Sequence, residues 1–163
     1  GGQVGHQHDL PADQCLRLVM FGHPGEHRPL LIPEADPQVE QLVLVTGARN
    51  VVCTGWIDDV SQFYNSISLL VQPSVSEGFG LEVLEAMAHG RVALASTGAG
   101  AADLTTETFP ARDVDTLVTK LDSYKKNSDW LWTQGNRGRE VAAGFTWDVI
   151  RKRYQQLWQE LLD

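Results

Sequence analysis

Positive charge is scarce in this sequence, and its shortage excludes one class of partner. The 163 residues contain 13 lysines and arginines against 21 aspartates and glutamates, which gives a formal net charge of −8. Broad nucleic-acid binding depends on basic side chains at phosphates, so we do not expect it. Long apolar runs are missing as well. None approaches the roughly 18 residues that a membrane helix needs, so no membrane span is predicted.

Cysteine is rare, and the chain offers little for a metal ion. Cys15 and Cys53 both fall within apolar stretches. Two isolated thiols suit a reducing compartment, so we predict buried thiols and a cytoplasmic location. His6 and His8 would supply only two ligands from a glycine-rich start, so no metal site is predicted.

The length of the chain predicts one domain with a short leading segment. The opening GGQVGHQHDLP lacks the basic region and apolar core of a secretory signal. We therefore interpret residues 1–15 as a flexible start or linker and residues 16–163 as the domain.

Strand-length apolar runs then alternate with segments of helical period, which is the pattern of a parallel sheet wrapped by helices. The runs that predict strands are LRLVMFG, NVVCTG, SLLVQPS and VALAST, whereas HPGEHRPLLIPEADP predicts a long loop. Helices are predicted near 37–46, 58–66 and 81–90. The predicted fold class is α/β, with a Rossmann-like parallel sheet and flanking helices. Four strands are few for such a sheet, so we expect the chain to be part of a larger protein.

After Asp113 the pattern is helical, and it predicts a helical C-terminal tail with segments near 114–126, 129–143 and from Thr146 onward. The residues that share one face of the last helix are Ile150, Tyr154, Leu157, Trp158 and Leu161. We expect this face, together with Trp130, Trp132 and Trp147, to pack the tail.

The stretch SEGFGLEVLEAMAHG, residues 76–90, contains the strongest candidate site. It follows the carboxyl end of a predicted strand and opens a helix, which is where α/β sheets bind ligands. Gly78 and Gly80 let the backbone approach a ligand closely, and the helix adds its dipole and its first-turn amides. Together they predict an anion site for a phosphate or diphosphate. Glu77 and Glu85 flank this site and could accept hydroxyl groups, so a nucleotide carrying a polyol is the predicted ligand.

The same residues resemble a known family. The pattern P-S-x-x-E-G-F-G-L-x-x-x-E-A-M-A-x-G, with seven residues between Glu77 and Glu85, is similar to the E-x7-E signature of GT-B glycosyltransferases, family 4 type (group 1). The stretch NVVCTGWIDDVSQFYNSISLLVQPS and the FTW before the last helix also resemble the C-terminal domain of that family. The resemblance runs from about Leu16 to Leu162 and implies one half of a GT-B fold.

The resemblance also implies a function and a set of residue roles. It implies the donor-binding domain of a retaining glycosyltransferase, a hexosyltransferase, which moves a sugar from a nucleotide-sugar to an unidentified acceptor and needs no metal or other cofactor. Glu77 would face the donor sugar as the catalytic residue and Glu85 would hold the ribose diol. The backbone amides of Gly78, Phe79, Gly80 and Leu81 would bind the diphosphate, Trp56 and Ile57 would lie near the base, and Gly22 and His23 would border the donor. The ring of Phe79 is expected to pack in the core, and Glu82 is expected to face solvent.

The sequence departs from the family pattern in ways that limit this fragment. The family's opening strand and its basic residues would lie before residue 1, and the acceptor would bind on the side of the missing N-terminal domain. The isolated fragment is therefore expected to be inactive. Segment 104–112 is expected to lack the strand that the family has there, which leaves the role of Asp103 open.

Two other functions were compared with the sequence. A non-catalytic module that binds a nucleotide or nucleotide-sugar would keep the same pocket. A nicotinamide-dependent oxidoreductase would need G-x-G-x-x-G or A after a strand, but FGHPGE lacks this pattern and TGAGAAD places Asp103 at its third position.

Overall fold

The protein is described by a computed structural model that covers residues 18–20, 30–32, 51–53, 57–124 and 127–162. These residues form six strands and five α-helices. The strands are β1 (Leu18–Met20), β2 (Leu30–Ile32), β3 (Val51–Cys53), β4 (Leu69–Gln72), β5 (Val92–Ser96) and β6 (Glu107–Phe109), and the helices are α1 (Val60–Ser66), α2 (Leu81–Ala88), α3 (Val114–Tyr124), α4 (Ser128–Ala142) and α5 (Trp147–Leu162). The helix predicted near 37–46 lies outside the described residues.

The strands form one sheet in the order β3-β2-β1-β4-β5-β6, which is the order of a Rossmann sheet. Strands β4, β5 and β6 are parallel to one another, and so are β2 and β3. The predicted α/β class with a parallel sheet and flanking helices is confirmed. Only β1 runs antiparallel to its neighbours, so that Met20 pairs with Leu69 at the amino end of β4. The carboxyl ends of β4, β5 and β6 consequently lie at one edge.

Every residue of β4 and β5 is buried, because helices cover both faces of these two strands. On one face, Leu70 and Ala93 pack with residues of α1 and α2. On the other face, Val71 and Leu94 pack with residues of α3 and α4. Strands buried on both sides read as continuous apolar runs, which is why SLLVQPS and VALAST were recognisable from the sequence.

Two strands are present where none was predicted. Strand β2 lies inside the predicted long loop, between Pro29 and Pro33, and three apolar residues bounded by prolines are a weak signal. The expectation that segment 104–112 lacks a strand was wrong, because β6 pairs in parallel with β5 from Leu94 to Ser96. Only one of the three residues of β6 is buried, so its sequence lacks the pattern of a core strand. Asp103 lies in a short 3-10 turn between β5 and β6.

Strand β6 is fixed to the helices by a carboxylate. Oε2 of Glu107 accepts hydrogen bonds from Nζ of Lys120, at 2.6 Å, and from the hydroxyl of Tyr124, at 2.8 Å. Burial, assisted by the Glu107 carboxylate, raises the pKa of Tyr124 far above its usual range, so this hydroxyl remains a donor. The ring of Tyr124 stacks on Trp130 with a centroid distance of 4.5 Å.

The helical tail is less packed than expected. Trp130 is half-buried against the core, but Trp132, Trp147 and Trp158 are exposed, so the prediction that they pack was wrong. The apolar face of α5 is also largely exposed, because this helix contacts mainly the adjacent turn Ala143–Phe145 within the described residues. No described helix is both long enough and apolar enough to cross a membrane.

Helix α4 crosses α2 closely because two of its residues have no side chain. A Cβ at Gly135 would overlap the carbonyl oxygen of Gly90, and a Cβ at Gly138 would press on the side chain of Met87. Gly90 itself has a φ of 69°, which glycine adopts without strain, and it follows the last turn of α2.

Gly135→Ala should therefore destabilise the protein although alanine favours helices. The added methyl group meets backbone that cannot move aside, and such overpacking costs about 1–3 kcal/mol. Gly144→Ala is the matched control, because a Cβ at Gly144 has no neighbour within 4 Å. Urea unfolding measures both changes, and equal midpoints for the two variants would contradict this account of the helix crossing.

Candidate functional site

The candidate site is the loop between β4 and α2, at the edge where the parallel strands end. Gly80 is the N-cap residue of α2 and has a φ of 87°, which is a left-handed conformation that glycine tolerates. Because glycine has no side chain, no side-chain hydrogen bond caps this helix. A Cβ at Gly78 would have no neighbour within 4 Å, so the backbone there borders open space. The loop can therefore bring its first amides close to a ligand.

The loop between β4 and α2 packs against the loop that follows β5. A Cβ at Gly98 would overlap the carbonyl oxygen of Val75, and a Cβ at Gly100 would overlap that of Gly78. In addition, the hydroxyl of Ser96, at the end of β5, donates to the carbonyl oxygen of Ser74. These contacts join the two loops through their backbones.

The carboxylate of Glu77 is held by two side chains, one at the end of β4 and one in the loop that follows it. Its Oε2 accepts from Nε2 of Gln72 at 2.6 Å and from Oγ of Ser74 at 3.1 Å. Nε2 of Gln72 also donates to Oγ of Ser74 at 2.8 Å. The same carboxylate oxygen lies 3.2 Å from the place that a Cβ of Gly80 would occupy. Glu77 therefore lies close to the N-terminus of α2, where the helix dipole favours negative charge.

Glu85 is held by a side chain from another helix. Its Oε2 accepts a hydrogen bond of 2.9 Å from the hydroxyl of Tyr64, which lies on α1 and is buried. The ring of Tyr64 stacks on His89, just after α2, at a centroid distance of 5.1 Å. Helix α1 follows its cap Asp59, whose carboxylate accepts from the backbone of Gln62, so the helix predicted near 58–66 is confirmed.

The structure brings most of the predicted site residues together. Glu77 and the backbone of 78–81 lie in one loop and the first turn of α2, and Glu85 follows one turn later on the same helix. Two predictions about side chains were wrong. The ring of Phe79 is not in the core but 39% exposed, and Glu82 is buried. A carboxylate in the first turn of a helix is favoured by the dipole, so burial of Glu82 beside the amides is tolerated.

The structure does not test the remaining predicted site residues. Gly22, His23 and Trp56 lie outside the described residues. Ile57 is half-buried and immediately precedes the Asp58–Asp59 cap region of α1. The roles of these four residues stay predictions.

The charge around the loop is negative. No lysine or arginine occurs between Val51 and Gly90, a stretch that contains Glu77, Glu82 and Glu85. This stretch can hold an anion only through backbone amides and the helix dipole, because it has no cationic side chain of its own. The carboxylates can in turn accept hydroxyl groups of the same ligand. Within the described ranges, no group of three or more histidine, cysteine, aspartate or glutamate residues is placed to hold a metal ion.

Sequence reasoning missed Gln72 and Tyr64, which hold the two carboxylates of the site. Gln72 offered a signal, because it is a polar residue at the end of an otherwise apolar run. Tyr64 offered none, since it lies 21 positions before Glu85 and nothing in the sequence reveals their contact.

Comparisons with known proteins match the chain to one family. The family model described as Glycosyl transferases group 1 matches residues 8–127. Sulfoquinovosyl transferase SQD2 of Arabidopsis thaliana is 31% identical over 156 residues, which cover 90% of this chain and 30% of that protein. The chain spans 30 to 38% of the length of the curated relatives it matches.

Solved structures show the same fold. Sucrose-phosphate synthase from Thermosynechococcus elongatus aligns with a TM-score of 0.74 and 26% identity, over 94% of this chain and 47% of that one. Alr3699/HepE of Anabaena, in complex with UDP-glucose, aligns with a TM-score of 0.64 and 21% identity, over 76% of this chain and 35% of that one.

Gly78 and Gly100 are expected to respond oppositely to a methyl group. Gly100→Ala should destabilise the protein by about 1–3 kcal/mol, because its Cβ overlaps backbone. Gly78→Ala should leave the free energy of unfolding unchanged or slightly raised, because its Cβ meets open space and alanine restricts the unfolded chain. Chemical denaturation compares the two, and a large loss in Gly78→Ala would show that the loop is packed differently.

Proposed function

Because this chain belongs to the group 1 glycosyl transferases, we propose that it is the donor-binding domain of a longer enzyme. That enzyme transfers a sugar, as a hexosyltransferase, from a nucleotide-sugar to an acceptor bound by another part of the protein. The observation that carries the proposal is the loop itself. Its backbone at Gly78 borders open space at an α2 N-terminus without a side-chain cap, and carboxylates held in place flank it on both sides.

Each part of the loop suits one part of such a donor. The amides of 78–81 and the dipole of α2 suit the diphosphate, because both favour negative charge at the start of a helix. Glu85, one turn further along α2 and oriented by Tyr64, suits the two hydroxyls of the ribose. Glu77, held against the start of α2, suits the donor sugar. The complex of HepE with UDP-glucose, a protein of the same fold, supports a ligand of this class.

The reaction that fits these groups proceeds with retention of the anomeric configuration. The acceptor hydroxyl would attack the anomeric carbon from the face that the diphosphate leaves, and a phosphate oxygen would take the hydroxyl proton. Glu77 would stabilise the positive charge that develops on the sugar, as a fixed dipole or charge does in other transition states. No step requires a metal ion, and we propose that the enzyme works in the cytoplasm without one.

A second candidate is a non-catalytic module that binds a nucleotide or nucleotide-sugar through the same loop. Such a module would bind the same ligand but would not transfer sugar. Turnover in the full-length protein, measured as nucleoside diphosphate release in the presence of acceptor extracts, separates the two functions.

Binding is tested by titrating UDP, GDP and ADP into the isotopically labelled protein and following backbone amide shifts. We expect millimolar or tighter binding with shifts concentrated at residues 78–81 and at Glu85. Gly78→Ala should weaken binding about tenfold while leaving the fold intact, because its methyl group occupies the space that a phosphate needs. Gly144→Ala, which adds an equally unobstructed methyl group elsewhere, is the control. Shifts clustered away from the loop would refute the site.

The two glutamates should divide binding and transfer between them. In the full-length enzyme, Glu85→Ala should weaken donor binding, with a rise in KM of about tenfold or more, because it removes charged hydrogen bonds to the ribose. Glu77→Ala should lower kcat by about a hundredfold with a smaller change in KM, because its interaction is strongest in the transition state. Steady-state kinetics measures both, and the opposite pattern would mean that the roles are exchanged.

A further inference from the structure

We propose that Gln72 is a positioning residue that fixes the carboxylate of Glu77 for the donor sugar. This inference rests on the proposed function, in which Glu77 faces that sugar. Gln72 does not itself touch ligand, because its side chain is fully buried at the end of β4. It would act through the 2.6 Å hydrogen bond that joins the two side chains.

The chemistry of the pair fixes which end of the Gln72 amide faces Glu77. An ionised carboxylate only accepts hydrogen bonds, so the atom beside it must be the NH2 group and not the carbonyl oxygen. The second donor agrees with this orientation. Ser74 has one hydroxyl proton, which it donates to Glu77, and it accepts from the same NH2 group of Gln72. All three side chains are thereby linked in one consistent arrangement.

Gln72 is a costly residue for the core, which argues against a purely structural role. The rest of β4 is apolar and buried. Among the described residues, Oε1 of Gln72 is buried without a hydrogen-bond donor. An unpaired buried acceptor costs free energy that an apolar side chain of the same shape avoids. The contribution of Gln72 must therefore come from its NH2 group, which holds Glu77 and Ser74.

The arrangement fixes the direction of the carboxyl group before a ligand arrives. Oε2 of Glu77 is held by Gln72 and Ser74 and packs against Gly80. Two hydrogen bonds to one oxygen restrict the conformations that the Glu77 side chain can adopt. A glutamate that is already oriented loses less conformational freedom when the sugar binds, so it stabilises the bound sugar more.

The test compares a ligand that has the sugar with one that lacks it. Dissociation constants of UDP-glucose and UDP are measured by calorimetry for the full-length protein and for Gln72→Met, Glu77→Ala and the double variant. We expect Gln72→Met to leave the UDP constant within about twofold and to weaken UDP-glucose about fivefold. The double variant should be no weaker than Glu77→Ala alone, because both changes remove the same interaction.

Leu70→Ala provides the control for damage to the strand. Leu70 is buried on β4 like Gln72, but it packs toward α1 and α2 and belongs to the hydrophobic core. It should lower the unfolding midpoint without changing the ratio of the two dissociation constants. Equal weakening of UDP and UDP-glucose in Gln72→Met, or no change in either, would overturn the positioning role and leave the proposed function intact.

A measurement without ligand tests the contact itself. In protein labelled with 15N at glutamine, the side-chain amide signal of Gln72 should lie downfield and should move upfield in Glu77→Ala. An unchanged signal would overturn the positioning role of Gln72 and would leave the proposed function intact. Failure of the wild-type protein to bind UDP-, GDP- and ADP-glucose would overturn the proposed function and, with it, the role of Gln72 toward a sugar.

Discussion

The loop after β4 and the loop after β5 touch through their backbones, and the candidate site depends on this contact. Gly98 and Gly100 lie where any side chain would overlap the carbonyl oxygens of Val75 and Gly78. The contact is possible only because β4 and β5 are parallel neighbours, so that both loops leave the sheet at the same edge. The pairing of two buried apolar strands thus fixes the loop that carries the candidate site. The paired strands fix the positions at which both loops begin.

The two carboxylates are supported in different ways, and the difference matches the chemistry proposed for them. Glu77 is held by Gln72 and Ser74, which lie in its own strand and loop, so its position follows the end of β4. Glu85 is held by Tyr64 from α1, so its position depends on how two helices pack. A group that stabilises developing charge needs the tighter placement, whereas a group that binds hydroxyls tolerates small shifts. Both supports come from buried or half-buried side chains rather than from charges.

The sequence predicted the parts of this fold that have a strong local signal. The apolar runs of β4 and β5, the caps of α1 and the glycine-rich start of α2 all lie where they were expected. The direction of β1 could not be predicted, because a short apolar run does not encode the direction of the strands that pair with it. Strand β6 was missed because it carries little apolar surface.

The same limit applies to the site. Glu77, Glu85 and the glycines were found because they form one short motif, whereas Gln72 and Tyr64 act through contacts that only the folded chain creates. The uncapped start of α2 has a further consequence. Position 80 needs a left-handed conformation, in which any residue with a Cβ is strained, so the chain cannot easily supply its own cap there. A bound anion can accept from the first amides of α2 in place of the side chain that residue 80 lacks. A bound anion would then add to the thermal stability of the protein as well as being recognised by it.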